Sequence, residues 1–263
     1  MMRRTVFTSL LAVLFSSFGF ASDETPNDLQ LVLLIGQSNM AGRGKVTPAD
    51  QQTNPRIFML DKACAWVPAK DPVHFDKPKI AGVGLCSEFA RCFARQEPNA
   101  NIGLIPCAFG GTTLDQWKPG CALYTNAVAR TRVALQRGKL VAILWHQGEG
   151  DSAAKNRATY PARFAVLINQ LRHGLDANDV PVIVGELGAS YNAGYAPFNA
   201  MLPQVTNAVP CSALVSSEGL GSNPDKVHFS ADALRVFGKR YYTAFMNLKK
   251  DSVQRSALNH GDR

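Results

Sequence analysis

Short apolar runs alternate with stretches of helical periodicity along almost the whole chain. Several runs are nearly continuous in valine, isoleucine and leucine, as expected for strands covered on both faces. This alternation predicts an α/β fold, a three-layer α/β/α sandwich around a mostly parallel, flavodoxin-like sheet. The predicted strands are Leu29–Gly36, Ile57–Leu60, Asn101–Cys107, Leu140–His146, Val180–Leu187 and Ala213–Ser216. The predicted helices are Leu85–Arg95, Leu123–Arg137, Tyr160–Leu175 and Ala231–Leu248.

The length of the chain fits one domain of this kind. A chain of 263 residues, 46% hydrophobic and 18% charged, can bury a sizeable core without metal or disulfide support. We expect a single domain over residues 22–250, followed by a polar tail over residues 251–263. Ser230 precedes the last predicted helix and belongs to a residue type that caps helix N-termini.

The N-terminal segment has the layout of a secretory signal peptide over residues 1–21. Arg3 and Arg4 precede an apolar run, and Gly19 and Ala21 are the small residues of a cleavage site. The alternative is an uncleaved membrane anchor, but the run is short for a span of about 20 residues. We therefore expect export to the periplasm or the medium, with no stable membrane association after cleavage.

Charge and cysteine spacing argue against other classes of protein. The formal net charge is +8, but no basic cluster is interleaved with aromatic residues, so nucleic acid is not an expected partner. The six cysteines show no spacing typical of zinc, and no metal is expected. Their even number in an exported protein suggests disulfides, with the pairing left open. Cys86 and Cys92 are a poor pair because they share a predicted helix and point in different directions.

Chemically suggestive residues follow four of the predicted strands. In open α/β sheets, ligands bind at the carboxyl ends of the strands, so the loops there are the first place to look for a site. Motifs that meet at one edge of a sheet are stronger evidence together than any one of them alone. The four loops are Gly36–Met40, Gly110–Thr112, Gln147–Glu149 and Asp225–His228.

Ser38 lies two residues past a buried-type strand, where a helix can begin. A serine at that point can present its hydroxyl beside backbone N–H groups of the following turn, although the position alone favours a simple helix cap. The loop is not a phosphate-binding loop, because Lys45 is followed by Val46. It is not a GxSxG elbow either, because Asn39 and Met40 follow the serine.

All four loops together resemble the conserved blocks of the SGNH hydrolases, in the same order and over nearly the whole mature chain. The segment Leu33–Gly44 resembles the first block, in the GQSNM variant typical of sialate O-acetylesterases and acetylxylan esterases (carbohydrate esterase family six). Pro106–Thr113 with Trp117 resembles the second block, Trp145–Glu149 the third and Asp225–His228 the last. The sequence departs from the common QGESD pattern, since Gly150 stands between Glu149 and Asp151.

An ester-cleaving serine needs a histidine base that an acid holds in the right tautomer. Of the five histidines, His228 is the best candidate, because Asp225 precedes it by three residues in a segment rich in turn formers. The resemblance implies the same roles, with Ser38 as nucleophile. Some related carbohydrate esterases take the acid from the third block, which makes Glu149 the alternative. We favour Asp225 because the short loop ties it to His228.

Three donors are candidates for the oxyanion hole that stabilises the tetrahedral intermediate. They are the backbone N–H groups of Ser38 and Gly111 and the side-chain amide of Gln147. The Gly110–Gly111 pair lets the backbone approach a substrate closely. Gln147 stands where many SGNH enzymes have asparagine, and either amide can donate.

The resemblance implies a serine esterase that removes acetyl groups from carbohydrate without a metal or organic cofactor. Trp117 is the best candidate for stacking on a sugar ring, ahead of Trp66 and Trp145. One alternative is a catalytically silent glycan-binding module, against which the intact Ser38, Asp225 and His228 argue. Another is a lipase, thioesterase or acyltransferase on the same fold. The particular glycan and the oligomeric state stay open.

Overall fold

The computed structural model describes the backbone of residues 25–261 and the side chains of residues 25–252 and 254. The predicted signal peptide over residues 1–21 lies outside the described residues. Within them, seven strands form one sheet. The strands are β1 Leu29–Gly36, β2 Ile57–Leu60, β3 Trp66–Pro68, β4 Ile102–Pro106, β5 Gly138–His146, β6 Val182–Gly185 and β7 Ser212–Val215.

The sheet is parallel except at one edge. Its strand order is β3-β2-β4-β1-β5-β6-β7, and only the β2–β3 pairing is antiparallel. All six predicted strands are confirmed, with ends within two residues of their expected positions. The sequence did not predict β3, a three-residue edge strand that ends in proline. Proline is tolerated there because an edge strand does not need every N–H group.

The helices cover both faces of the sheet. The four predicted helices are present, and the last one continues as far as Gly261, into the segment that was expected to be a polar tail. Ser230 caps this helix as predicted, because its Oγ accepts a hydrogen bond from the N–H of Ala233 at 3.2 Å. The helices are α1 Ser38–Ala41, α2 Leu85–Gln96, α3 Ala122–Ala134, α4 Ala154–Arg157, α5 Tyr160–Gly174, α6 Ala196–Asn199, α7 Leu202–Ala208 and α8 Ala231–Gly261.

Two apolar clusters, one on each face of the sheet, make up the core. On one face α2 and α8 pack against side chains such as Val32 and Leu144. On the other face α3, α5 and α7 pack against the adjacent residues of the same strands, such as Leu33 and Ile143. Side chains that alternate between the two clusters along β1 and β5 explain why these strands are apolar throughout. The three-layer α/β/α prediction is confirmed.

The sheet places its ligand-binding crevice beside β1. The chain first builds β2 and β4 on one side of β1 and later adds β5, β6 and β7 on the other. Parallel sheets bind ligands at the carboxyl ends of the strands where the winding reverses, which here is the end of β1. The segment after β1 is the one that carries Ser38.

Other expectations concern cysteines, metals and membranes. Cys64, Cys86, Cys92, Cys107 and Cys121 are thiols, and Cys86 and Cys92 share α2 as predicted. The described residues hold no group of three histidine, cysteine, aspartate or glutamate side chains arranged to bind a metal ion. None of the helices between residues 25 and 261 combines the length and the apolar composition that crossing a membrane requires.

Candidate active site

Ser38 is the first residue of α1 and lies at the carboxyl edge of the sheet. The turn that brings it there depends on Gly36, whose φ is +130° and whose position leaves no space for a Cβ against the carbonyl of His146. The N–H of Gln37 continues the sheet by donating to the same carbonyl at 2.9 Å. The Ser38 side chain is therefore fixed by the end of β1 and the first turn of α1.

His228 reaches Ser38 from the other end of the chain. Its Nε2 lies 3.0 Å from Ser38 Oγ, and its Nδ1 lies 2.7 Å from Oδ2 of Asp225. Because a carboxylate can only accept, Nδ1 carries the hydrogen and Nε2 is the acceptor for the serine hydroxyl. The structure thus brings the three residues together in the order that an activated serine requires.

Asp225 is held as a carboxylate by its own loop. Its Oδ1 accepts hydrogen bonds from the backbone N–H groups of Val227 at 2.9 Å and His228 at 3.0 Å. Burial by itself raises the pKa of Asp225, but the hydrogen bonds from His228 and Val227 outweigh it and hold the pKa below its usual value. The carboxyl group is therefore charged at neutral pH and can stabilise a protonated imidazole.

Glu149, the alternative acid, contacts a different residue. Its Oε1 accepts a 2.6 Å hydrogen bond from Nδ2 of Asn39. Its Oε2 is buried and has no hydrogen-bond partner among the described residues. Of the two candidate acids, only Asp225 has a described hydrogen bond to His228.

Asn39 forms hydrogen bonds with the backbone on both sides of His228. Its Nδ2 donates to the carbonyl of Val227 at 3.2 Å, and its Oδ1 accepts from the N–H of Phe229 at 3.1 Å. Since Asn39 immediately follows Ser38, these bonds tie the histidine segment to the segment that carries the serine. The sequence marked Asn39 only as part of the GQSNM motif and indicated no function for it.

A second asparagine supports the same connection. Asn223 donates from Nδ2 to the carbonyl of Arg43 at 2.9 Å, and its N–H donates to the carbonyl of His228 at 2.7 Å. Both asparagines thus join two segments that lie far apart in sequence. Side chains that are held by such bonds keep catalytic groups in one geometry.

Two backbone donors are available beside Ser38. The N–H groups of Ser38 and Gly111 have no hydrogen-bond partner among the residues that the structure describes. Gly111 has a φ of +80°, a left-handed conformation that favours glycine. A Cβ on the preceding residue, Gly110, would lie 3.3 Å from the Cβ of Ser38, so the glycine loop is in contact with the serine. These donors fit the expected oxyanion hole.

A buried ion pair that the sequence did not indicate supports this loop. The side chains of Arg43 and Asp76 are 5% and 1% exposed, and Arg43 Nη2 lies 2.6 Å from Asp76 Oδ2. The same Oδ2 accepts the N–H of Gly110 at 2.8 Å. Burial raises the pKa of Asp76, but the bonds from Arg43 and Gly110 outweigh it and lower the pKa below its usual value. Asp76 lies in an irregular segment without a motif, so nothing in its neighbourhood marked it.

The expectation for Gln147 is not met. Its Nε2 donates to the carbonyl of Thr112 at 3.0 Å and to Oδ2 of Asp151 at 2.7 Å, so both amide hydrogens are used. Its Oε1 accepts from the hydroxyl of Tyr160 at 2.9 Å. Gln147 is completely buried and supports the glycine loop through Thr112. An amide that is fully bonded inside the protein is not free to donate to an oxyanion.

The expectation for Trp117 is wrong. Its side chain is 1% exposed, packs edge-on against Trp145 and donates from Nε1 to Oγ1 of Thr112 at 3.2 Å. Trp145 is also completely buried. Trp66 packs against Gly103, whose missing side chain makes room for the indole ring. Trp117 and Trp145 therefore serve the core and leave no indole face for a sugar, while Trp66 is partly buried on the edge strand β3.

His146 has a structural environment. It is buried between Phe229 and Phe237, and its Nε2 lies 3.1 Å from the carbonyl of Glu186. Burial lowers the pKa of His146, so its imidazole is neutral at pH 7. It keeps the end of β5 in place under the site.

The arrangement is suited to acyl transfer. Ser38 has a base within hydrogen-bonding distance, the base has an orienting carboxylate, and backbone donors lie next to the serine. These are the parts needed to form and break a covalent acyl-serine.

Comparison with protein families and curated proteins gives two matches. A family model described as "Carbohydrate esterase, sialic acid-specific acetylesterase" matches residues 28–247. A probable carbohydrate esterase of Arabidopsis thaliana is 32% identical over 240 residues, which cover 83% of this chain and 90% of the relative.

Solved structures with the same fold include that Arabidopsis protein, with a TM-score of 0.76 and 30% identity over 84% of this chain and 98% of the other. NanS gives a TM-score of 0.72 at 19% identity, over 86% of this chain and 99% of NanS. A carbohydrate acetylesterase from Xanthomonas citri gives 0.60 at 19% identity, over 82% of this chain and 55% of the other. The likeness to the last two is one of fold.

Proposed function

The chain belongs to the carbohydrate esterase family of sialic acid-specific acetylesterases, and we propose that it removes O-acetyl groups from carbohydrate through an acetyl-serine on Ser38. The observation that carries this proposal is the continuous hydrogen-bonded chain from Ser38 Oγ through His228 to Asp225. Acetylated xylan and O-acetylated sialic acid are the two substrates to compare, since the GQSNM blocks are typical of esterases for both.

In the first half of the reaction Ser38 Oγ attacks the acetyl carbonyl carbon, while its proton passes to His228 Nε2. Asp225 stabilises the imidazolium through the 2.7 Å bond to Nδ1. The bond between the carbonyl carbon and the sugar oxygen then breaks, and the sugar oxygen takes the proton from His228. The products of this half are the deacetylated sugar and acetyl-Ser38.

In the second half water attacks the acetyl-serine and gives a proton to His228 Nε2. The tetrahedral intermediate collapses, Ser38 Oγ recovers the proton from His228, and acetic acid leaves and loses its remaining proton to solvent as acetate. The N–H groups of Ser38 and Gly111 stabilise the negative oxygen in both halves, each with a contribution on the order of 3 kcal/mol.

We also propose that the protein acts after export, because residues 1–21 have the layout of a cleaved signal peptide. N-terminal sequencing of the protein recovered from the periplasm or medium tests this. A mature chain that begins after Ala21 supports export, and an intact N-terminus in the cell interior contradicts it.

Acetate release from acetylated xylan, O-acetylated sialic acid and an aryl acetate tests the function, with wild type and Ser38→Ala side by side. We expect release by wild type on at least one carbohydrate and a loss of three orders of magnitude or more in Ser38→Ala, as is typical of removing a nucleophile of this kind. Cleavage of the aryl acetate alone would reject carbohydrate as substrate. Binding of a glycan without any release would favour the silent module.

A further inference from the structure

The buried tryptophans leave open which residues recognise the sugar. A carbohydrate site generally combines an apolar face with a few polar groups around it. Because Trp117 and Trp145 are buried in the core, neither can supply that apolar face.

Phe109 is a candidate for that apolar face. It is 42% exposed and is the one aromatic residue among the large hydrophobic side chains that the described part of the chain exposes. Its N–H donates to the carbonyl of Gly36 at 3.0 Å, which places it next to the end of β1. It directly precedes Gly110, whose Cβ position lies 3.3 Å from the Cβ of Ser38. Phe109 therefore belongs to the segment that contacts the nucleophile, and its side chain is exposed there.

Phe109 borders a cavity of about 380 Å³, here called the Phe109 cavity. This volume falls within the range of about 300–1,000 Å³ that is common for small-molecule sites. Asp76 forms part of its wall and at the same time holds the N–H of Gly110, so the cavity adjoins the glycine loop. Its other walls include Lys62, His74, Phe75, Leu123 and Asn126.

The walls combine the two kinds of surface that a sugar ring presents. Phe75, Phe109 and Leu123 are apolar and match the C–H faces of a pyranose. Lys62 and Asn126 are exposed and can donate hydrogen bonds to hydroxyl groups.

His74 adds a polar group to the inner wall. The backbone of Leu34 faces the ring closely enough to raise its pKa slightly, and no side chain among the described residues bonds to either ring nitrogen. Burial lowers the pKa of His74 to about 4, which the charge of Asp76 only partly offsets. The ring is therefore neutral at pH 7, and the nitrogen that does not face Leu34 can bond to a ligand hydroxyl.

We propose that the Phe109 cavity binds the sugar that carries the scissile acetyl group, with the Phe109 ring as its apolar platform. This inference rests on the proposed function and adds the place where the leaving group sits. It assigns to Phe109 the role that the sequence had suggested for Trp117.

The test compares Phe109→Ala and Phe109→Tyr with wild type on an acetylated saccharide and on ethyl acetate, which has no ring to stack. We expect Phe109→Ala to raise KM for the saccharide about tenfold, with kcat nearly unchanged, as for the loss of an aromatic contact. The fold-change on ethyl acetate should be clearly smaller than the fold-change on the saccharide, and Phe109→Tyr should restore the saccharide KM. Val133→Ala is the matched control, because Val133 is exposed near the far end of α3.

Two results would overturn the inference. One is an equal loss on saccharide and ethyl acetate, which would mean that Phe109 only holds the glycine loop. The other is an unchanged saccharide KM with altered turnover of aryl esters of longer acids, which would make the cavity an acyl pocket.

A binding experiment separates this inference from the proposed function. Calorimetric titration of Ser38→Ala with the acetylated saccharide, with and without Phe109→Ala, needs no turnover. Weaker binding in the double variant supports the cavity even if the wild type releases no acetate. Equal binding in the two proteins, or no binding in either, rejects it.

Discussion

The amide of Asn39 donates a 2.6 Å hydrogen bond to the carboxylate of Glu149, while the same side chain holds the backbone on both sides of His228. The third block therefore acts on the base through an intermediate asparagine. Because the donor is neutral and the acceptor charged, this bond is of the stronger kind. Glu149 is accordingly a positioning residue in our description, and Asp225 is the acid that contacts the histidine.

Reversing the donor and acceptor tests this arrangement. In Asn39→Asp a carboxylate faces the Glu149 carboxylate, and we expect kcat/KM to fall by two orders of magnitude or more, since repulsion between two partly buried like charges displaces both groups. In the double variant Asn39→Asp with Glu149→Gln, the introduced glutamine amide can donate to the introduced carboxylate. We expect at least a tenfold recovery over Asn39→Asp alone. A double variant no better than Asn39→Asp would contradict the assigned bond.

The two candidate acids should respond differently to loss of charge. Asp225→Asn removes the group that fixes the His228 tautomer, and we expect kcat to fall by roughly 10²–10⁴. Glu149→Gln keeps an acceptor for Asn39, so we expect a loss of about tenfold or less. Steady-state kinetics on an aryl acetate measures both. Near-full activity in Asp225→Asn, with a severe loss in Glu149→Gln, would reverse the assignment.

Substitution of two glycines with similar backbone conformations can separate an effect on stability from an effect on catalysis. Gly111 has φ +80° and Gly120 has φ +88°, and neither position crowds a Cβ. Alanine at either site should lower the free energy of unfolding by about 1–2 kcal/mol. Only Gly111→Ala should also lower kcat, by roughly tenfold to a thousandfold, because relief of strain turns its N–H away from the oxyanion. Equal activity in the two variants would argue against Gly111 as a donor.

Asp71 should make stability depend on pH. Burial raises its pKa from 3.8 to about 6, although hydrogen bonds from Ser87 and Gly84 partly offset the effect. The folded state therefore holds this proton more tightly than the unfolded state. The stabilisation is full below about pH 4 and is lost as pH rises through about 6.

Asp71→Asn imitates the protonated form at every pH. The variant should match wild type near pH 4 and exceed its free energy of unfolding by about 2–3 kcal/mol at pH 7. Urea denaturation across this range measures the difference. A difference that does not change with pH would show that Asp71 does not titrate there.

The sequence predicted the long, strongly patterned elements well. The ends of β1 and β2 match to the residue, because continuous apolar runs are bounded by polar or glycine residues. The edge strand β3 was missed because three residues are too few to show an alternating pattern of apolar and polar side chains. It forms only through long-range pairing with β2, which the local sequence does not indicate. The last helix continues past Leu248 although its sequence becomes polar there. Polar residues with good helix propensity extend a helix that is already anchored by packing.

The residues of the candidate site fall into two groups, those that the sequence revealed and those that it did not. The sequence revealed Ser38, Asp225 and His228 because each lies in a short motif. The local backbone of such a motif fixes the position of its side chains. Residues whose role depends on long-range contacts could not be found, since Asp76 meets Gly110 and Arg43 only in the folded chain. Gln147 and Trp117 were assigned binding roles from their positions in motifs. Both assignments failed because the two side chains are buried in the folded protein.

The most direct test of the central claim is mass spectrometry of enzyme quenched in acid during turnover of an acetylated saccharide. We predict one added acetyl group on the peptide that contains Ser38, and none in Ser38→Ala treated in the same way. Steady release of acetate with the Ser38 peptide unmodified, and with Ser38→Ala as active as wild type, would contradict an acetyl-serine mechanism at this site.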